Sequence, residues 1–213
     1  MPKLSVIIPT YNSAKTIEFC LNSIRSSSFA DYELIVVDGA SSDSTREIAK
    51  TYANRVILQK KNEGRSMARN AGIETAQGDI IVLTDSDNVL MPDTLQRIEA
   101  FFSANSHISA LTGLISKEHP NKDFFSQYKN LYMNYVFNKL PERVTFLHGS
   151  ICAIRRNFVP FGDPQIKTDD AERGQKLYNS GKEIAFLNTL EVIHLKKYNF
   201  LSLFRNDFLV PFD

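Results

Sequence analysis

Short apolar runs alternate with helix-type segments along the first half of the chain, and this alternation restricts the fold more than any other feature. In the helix-type segments, apolar residues recur at helical spacing, as Ile17, Leu21 and Ile24 do after a cap at Asn12 or Ser13. Buried strands separated by such helices predict an α/β domain with a mostly parallel central sheet covered on both faces. The predicted strands lie at 4–9, 32–38, 55–59 and 79–85, and the later helices at 41–53, 64–76 and 91–102.

The second half of the chain has a different pattern. An aromatic-rich segment at 122–140 is helical in its spacing, and a helix at 169–181 ends at Gly181. Strands are predicted at 110–116 and 150–155. We interpret this half as an extension of the same domain, built onto the sheet to receive a second substrate.

Charge and composition exclude several classes of protein. The formal net charge is +1 over 213 residues, so no overall field attracts nucleic acid. Cys20 and Cys152 lack CxxC or metal-ligand spacing, which predicts reduced, buried thiols and a cytoplasmic location. The N-terminal apolar run is too short for a signal peptide, and no run approaches the length of a transmembrane helix.

Polar clusters follow three of the predicted strands: Thr10-Tyr11-Asn12, Asp38, and Thr84 to Asp87. In an open α/β sheet, ligands bind beyond the carboxyl ends of the strands, so these clusters predict a binding cleft. Asp85 and Asp87 are separated by one residue and can face one hard cation such as Mg²⁺ or Mn²⁺. The alternative is that Asp87 and Asn88 cap the next helix while Asp85 pairs with a lysine.

Four segments in this order resemble the family-2 glycosyltransferases of the GT-A fold. They are "VIIPTYNSAKTIEFCLNSI", "LIVVDGASSDSTREIA", "NEGRSMARNAGIETAQGDIIVLTDSDN" and "TDDAERGQKLYNSGKEIAF". The resemblance implies a single domain over 1–213 that moves a sugar, with inversion, from a nucleotide diphosphate donor to an acceptor hydroxyl. It divides the chain into a nucleotide-binding half (about 1–115), an acceptor-side half (about 116–195) and an amphipathic C-terminal segment (196–213).

The resemblance also implies roles for residues on the donor side. Asp38 would pair with the base, which favours UDP-sugars; Gly39 stands where the family often has a second Asp. Arg69 would reach the base or the phosphates, although an ordinary ion pair on a helix surface is the alternative. Asp85 and Ser86 would address the ribose or the metal shell. The nucleoside pocket would be lined by Pro9, Thr10 and Tyr11.

The divalent cation implied by the resemblance, Mn²⁺ or Mg²⁺, would be bound by Asp87. His194 would be its third ligand or would meet the diphosphate. His148, Gly149 and Ser150 would line the sugar and acceptor cleft, although a lone His in an apolar run is often a core residue. His107 and His119 lack a motif and are predicted at the surface.

Asp170 would be the general base that takes the proton of the acceptor hydroxyl. Asp169 stands where the family usually has Glu and would support it in the acceptor cleft. Two adjacent carboxylates push their proton affinities apart, so one of them should titrate abnormally. The alternative is that both are helix N-terminal carboxylates favoured by the macrodipole.

The C-terminal segment mixes basic residues with Phe and Leu at helical spacing. We favour packing within the protein; contact with a lipid surface at the inner face of the membrane and a homodimer face are the alternatives. The acceptor is a glycan, a lipid-linked carrier or a small molecule. A sugar nucleotidyltransferase is the competing enzyme class, but "PTYNSAK" has no glycine to hold a triphosphate. A non-catalytic nucleotide-sugar-binding module would be expected to lack one of the carboxylates.

Overall fold

The structure is a computed structural model that describes residues 1–166 and 168–204. Nine strands in these ranges form one sheet: β1 (Leu4–Thr10), β2 (Tyr32–Asp38), β3 (Arg55–Leu58), β4 (Ile80–Thr84), β5 (Asn88–Leu90), β6 (Ala110–Ile115), β7 (Arg143–Val144), β8 (Ile151–Arg155) and β9 (Ile184–His194). The strand order is β3-β2-β1-β4-β8-β6-β9-β5, and β7 pairs with β9.

The sheet changes character at β4. Strands β1 to β4 are parallel, as the alternating pattern predicts. Strand β8 then pairs antiparallel with both β4 and β6, and β6 runs parallel to β9. The predicted α/β fold is confirmed, and the second half of the chain makes its sheet mixed.

The described helices agree with the predicted ones to within a few residues. They are α1 (Ile17–Arg25), α2 (Thr45–Tyr52), α3 (Arg65–Thr75), α4 (Thr94–Ala104), α5 (Phe124–Phe137), α6 (Asp169–Asn179) and α7 (Phe200–Phe204). The prediction that Asn12 or Ser13 caps α1 is wrong. The N-cap is Thr16, which makes no side-chain cap bond, while the Asn12 side chain accepts a hydrogen bond from the Ser42 N–H at 2.9 Å.

Apolar layers cover both faces of the sheet. Val6 and Ile8 point to the layer that contains α1 and α4, whereas Ile7 points to the layer that contains α3 and α6. Cys20 lies in the first layer and Cys152 in the second, and both are buried free thiols as predicted. Burial raises the pKa of Cys152 to about 12, so the thiol stays protonated and unreactive.

Two features of the second half differ from the sequence-based expectations. Strands β5, β7 and β9 are not predicted: β5 and β7 are too short, and polar residues interrupt β9. His119 is not a surface residue: its imidazole is buried, and Nε2 donates to the Lys196 carbonyl at 3.0 Å. The exposed position of His107 is confirmed.

The C-terminal segment is described as far as α7, and its predicted continuation over 205–213 lies outside the described residues. Across the described ranges, no helix combines the length and the apolar character needed to cross a bilayer.

Candidate active site

A cavity of about 490 Å³ opens where β1, β2 and β4 end, which is the edge that the strand-end clusters predict. All but three of the predicted site residues line it: Pro9, Thr10, Tyr11, Asp85, Ser86, Asp87, His148, Gly149, Ser150, Asp170 and His194. The fold therefore brings together side chains from the two halves of the chain in one cleft. The three exceptions, Asp38, Arg69 and Asp169, are buried just beneath it.

Asp38 ends β2 and lies under the part of the cleft lined by Gly39 and Thr10. Its Oδ2 atom accepts a hydrogen bond from the Ser41 N–H at 3.1 Å and faces the Arg46 guanidinium at 3.4 Å. Its Oδ1 atom is buried and has no hydrogen-bond partner among the described residues. A buried carboxylate oxygen without a partner is costly, so this atom is available to accept an N–H from a ligand.

Arg69 organises the carboxylates below the cleft and does not line the cleft itself. Its guanidinium is fully buried and reaches Asp85 at 2.8 Å and Asp169 at 3.0 Å. It also donates to the Gly149 carbonyl at 3.1 Å. The expectations that Arg69 contacts the donor, or forms a surface ion pair, are both corrected: α3 faces the sheet here, so the planar guanidinium joins two halves of the site from below.

The expectation that Asp169 lies in the acceptor cleft is also wrong, because this residue is fully buried and does not line the cavity. Burial by itself would raise its pKa, but Arg69, Arg65 and Arg173 outweigh burial and hold the pKa of Asp169 below its usual value. One member of the Asp169–Asp170 pair thus has a shifted pKa, as predicted. The three arginines, and not the neighbouring carboxylate, cause that shift.

Asp170 lies in the first turn of α6 with its carboxylate at the cavity wall. The Gly149 N–H donates to its Oδ2 atom at 2.6 Å, and the Arg65 guanidinium lies 3.8 Å from its Oδ1 atom. A Cβ atom at Gly149 would lie 2.9 Å from Oδ2, so any other residue here would force the carboxylate to shift. The helix N-terminus and these contacts hold the carboxylate in one position.

Asp87 and His194 meet where β5 pairs with β9. The His194 Nε2 atom lies 3.4 Å from Asp87 Oδ2, and the buried Nδ1 atom has no partner among the described residues. Burial acts to raise the pKa of Asp87, but the hydrogen bond and charge of His194 and the charge of Lys196 lower it overall. Atoms at this separation suit two ligands of one cation, since metal–ligand bonds of about 2.1 Å place neighbouring ligands roughly 3 Å apart.

Three carboxylates line the cleft, those of Asp85, Asp87 and Asp170. Burial raises the pKa of Asp85, and Asp87 and Asp170 add to that rise, which Arg69 and Arg65 only partly oppose. Within the described ranges, no three His, Cys, Asp or Glu side chains form a metal-binding group. Asp87 and His194 supply two ligand atoms 3.4 Å apart, and a hard cation commonly fills the rest of its shell with phosphates and water.

His148 lines the cavity beside Asp170, and its ring packs 4.6 Å from that of Phe137. Burial of the imidazole lowers the pKa of His148 to about 4, so it is neutral at pH 7. Ser150 also lines the cavity, but its backbone carbonyl already accepts hydrogen bonds from the Thr84 and Asn88 side chains.

Sequence reasoning missed several lining residues. Arg65 follows Gly64, which has a φ of 89° and turns the chain into α3. A glycine directly before a predicted helix is the sequence signal that could have pointed to Arg65. Lys129 and Met133 come from α5, and nothing in their local pattern points to the cleft. Other residues not predicted are Ser13, Gln59, Asn62, Ala68, Ile115, Lys196 and Tyr198.

Comparison with known proteins identifies the family of this chain. Residues 5–160 match the model of Glycosyl transferase family 2, and the chain belongs to that family. It is 30% identical over 150 residues to the glycosyltransferase AglE of Haloferax volcanii, covering 65% of this chain and 49% of AglE. Over 108 residues it is 36% identical to the poly(ribitol-phosphate) β-N-acetylglucosaminyltransferase TarS of Staphylococcus aureus, covering 47% of this chain and 19% of TarS. The chain thus spans about half of AglE and a fifth of TarS.

Solved structures match the fold. The mannosyltransferase PcManGT of Pyrobaculum calidifontis, in complex with GDP-Man and Mn²⁺, superposes with a TM-score of 0.75 at 24% identity over 93% of this chain and 58% of its own. Residues 1–349 of S. aureus TarS, in complex with UDP-GlcNAc, superpose with a TM-score of 0.73 at 23% identity, over 94% of this chain and 60% of theirs. These likenesses confirm the predicted GT-A type fold.

Proposed function

We propose that this chain transfers one sugar from a nucleotide diphosphate donor to an acceptor hydroxyl, with inversion at the anomeric carbon. The observation that carries the proposal is the convergence of Asp170 with the Asp87–His194 pair in one cavity at the strand ends. A single displacement needs a base for the nucleophile and stabilisation of the leaving group. The Asp170 carboxylate can supply the first, and a cation bound by Asp87 and His194 can supply the second.

Asp170 is the proposed general base. As the acceptor oxygen attacks the anomeric carbon, its proton passes to an Asp170 oxygen, and the bond between the sugar and the diphosphate breaks. The Gly149 N–H at 2.6 Å orients the carboxylate throughout this step. The Arg65 guanidinium, 3.8 Å from the other oxygen, places a positive charge beside the carboxylate.

Asp87 and His194 are the proposed ligands of a divalent cation, Mn²⁺ or Mg²⁺. When bound, such a cation neutralises charge on the diphosphate and makes it a better leaving group. Asp85 stays beside this pair, held by Arg69 at 2.8 Å. We assign Asp85 and Ser86 to the ribose and phosphate side of the cleft.

The donor is proposed to be a UDP-sugar. The partnerless Asp38 Oδ1 atom can accept the ring N–H of uracil, and the buried Thr10 hydroxyl also lacks a partner among the described residues. Pro9 and Tyr11 complete this wall. The similar solved structures include one complex with GDP-Man and one with UDP-GlcNAc, so they do not favour either base. The proposed preference for uracil therefore rests on Asp38.

The acceptor side is proposed to lie along His148, Gly149 and Lys129. The proposed acceptor is a glycan, a lipid-linked carrier or a small molecule. The proposed location is the cytoplasm. A sugar nucleotidyltransferase is disfavoured by the family match, and a non-catalytic module by the presence of the proposed base and metal carboxylates together.

Thermal shift against UDP, GDP and dTDP, each with and without Mn²⁺, tests the donor and the metal. A ligand at about 100 times its Kd stabilises the native state by about 2.7 kcal/mol, so saturating UDP with Mn²⁺ should give a clear rise in Tm. We expect chelation to remove most of that rise. Asp38→Asn should reduce the UDP shift, whereas the exposed Asp79→Asn should not.

The outcomes separate the parts of this proposal. If no nucleotide diphosphate shifts the Tm, the donor assignment is wrong. An equal shift with and without chelator would remove the metal. A larger shift with GDP than with UDP would overturn the uracil preference and leave the rest standing.

A further inference from the structure

Helix α5 packs on the protein through polar side chains, which is the reverse of an ordinary surface helix. Ser126, Asn130 and Asn134 are all buried on its inner side. The Asn134 amide donates to the Ile115 carbonyl at 2.9 Å, and the Asn130 amide donates to the Ser116 carbonyl at 3.2 Å. Towards the end of the helix, Phe137 is buried in the apolar core and Met133 packs against it. The core therefore accounts for these two residues and not for the exposed apolar residues of the helix.

The outer side of α5 is entirely apolar. Phe124 is 72% exposed, and its ring stacks on Tyr128, which in turn stacks on Tyr132, with ring centroids 6.0 and 6.1 Å apart. Phe200 of α7 continues the surface through its contact with Phe125. We call this surface the aromatic face; its exposed residues are Phe124, Tyr128, Leu131, Tyr132, Tyr135, Val136, Phe200 and Leu201.

The segments that carry the aromatic face are rich in lysine, and the Lys139 ammonium lies over the Tyr135 ring. Residues 117–139 and 195–204 contain six lysines and two acidic residues, although the whole chain has a formal net charge of only +1. Five of these lysines are exposed: Lys117, Lys122, Lys139, Lys196 and Lys197. Exposed rings flanked by lysines are typical of surfaces that lie in the headgroup region of an anionic bilayer.

The aromatic face adjoins the active-site cleft. Lys129 and Met133 of the same helix line the cavity, one turn or less from Tyr128 and Tyr132. Whatever binds the outer side of α5 therefore comes to lie beside the acceptor side of the cleft.

We propose that the aromatic face docks the protein on an anionic lipid surface and brings the mouth of the cleft to the headgroup layer. The rings enter the interface, and the flanking lysines contact lipid phosphates or carboxylates. A second copy of the chain is a poorer occupant, because pairing two identical faces would bring their lysines together. The proposal extends the sequence-based alternative of lipid contact, which rested on the C-terminal segment, to α5.

Vesicle co-sedimentation of the full chain, without nucleotide or metal, tests the proposal. We expect binding to vesicles of 70% phosphatidylcholine and 30% phosphatidylglycerol at least tenfold tighter than to phosphatidylcholine alone. The triple variant Phe124→Ser, Tyr128→Ser, Tyr132→Ser should bind the anionic vesicles at least tenfold more weakly. Lys122→Gln with Lys197→Gln should weaken binding by up to about thirtyfold, since each lysine near such a surface contributes about 1 kcal/mol.

Matched controls isolate the aromatic face. Phe19→Ser with Tyr178→Ser removes exposed rings elsewhere and should leave vesicle binding unchanged, as should Lys15→Gln with Lys50→Gln. Absence of vesicle binding, or equal binding by the triple variant, would overturn the proposal. So would a dimer in light scattering that the triple variant converts to a monomer. Because the assay uses no donor, its failure leaves the proposed sugar transfer untouched, and a retained nucleotide thermal shift shows that the variants are folded.

Discussion

The two halves of this chain bury their helices by different means. In residues 1–115, α1 presents Ile17, Leu21 and Ile24 to the sheet, and the contact is apolar. In the second half, α5 presents Asn130 and Asn134, which donate hydrogen bonds to backbone carbonyls, and only its last residue, Phe137, is buried in the apolar core. The first arrangement follows from hydrophobic periodicity. The second frees the apolar side of a helix for contacts outside the domain.

The largest stability effect is expected where the halves meet, at Arg69→Met. The substitution keeps an apolar stem but removes the buried cation that contacts both Asp85 and Asp169, and the more exposed Arg65 is left as the other cation beside both. Removing one partner of a buried ion pair costs about 3–5 kcal/mol, to be measured by urea unfolding. The exposed pair Arg143–Glu183 supplies the control, because Arg143→Met should cost about 1 kcal/mol or less. Equal losses in the two variants would mean that Arg69 does not hold the halves together.

A pair of substitutions then compares the two kinds of interior. Leu83→Ala in β4 removes a fully buried apolar side chain and should cost about 2–5 kcal/mol. Asn134→Leu should cost about 1–3 kcal/mol, although it adds an apolar residue, because the Ile115 carbonyl loses its donor. If Asn134→Leu raised the free energy of unfolding, the hydrogen bond from Asn134 would not be what holds α5 on the domain. The proposed difference between apolar packing in the first half and polar packing in the second would then be wrong.

The sequence predicts the first half well because each strand there is a continuous apolar run and pairs in parallel with strands reached by short crossovers. The second half depends on contacts between distant residues. Strand β8 pairs with β4 some seventy residues earlier, at Ile151 and Thr84, and no local pattern carries that information. The strand β9 contains Asn188, Thr189 and Glu191, which hide its length.

An effect that depends on pH is expected at His148, whose pKa is lowered to about 4 because burial disfavours the imidazolium. The unfolded chain, with a His pKa of about 6.5, binds the proton more readily. The stabilising contribution is therefore complete above pH 6.5 and is lost as pH falls towards 4, by at most about 1.4 kcal/mol per pH unit.

His148→Phe can pack on Phe137, and urea unfolding at pH 7 and pH 5 should show a smaller acid loss than in the wild type. His107→Gln at an exposed position is the control and should behave like the wild type. A variant as acid-sensitive as the wild type would show that His148 is not the group that protonates.

For the site, residue types and positions at strand ends identify the cleft, but burial decides which of them reach a ligand. Arg69 and Asp169 stand in the expected motifs, yet their ion pair holds both below the cleft. Asp38 is buried as well, but its Oδ1 atom has no partner among the described residues. The motif around Arg69 is helical, and only the packing of α3 against the sheet and α6 turns its guanidinium inward. Lys129 enters the cleft from α5, whose inverted packing a periodicity analysis does not predict.

Donor binding and transfer measured side by side in Asp170→Asn test the central claim most directly. The Asn side-chain oxygen can still accept the Gly149 N–H, which now lies 2.6 Å from the carboxylate, so the cleft keeps its shape. The account predicts donor affinity within about threefold of the wild type, and transfer slower by about 10²–10⁴-fold, the usual contribution of a general base. Transfer at the wild-type rate would contradict it.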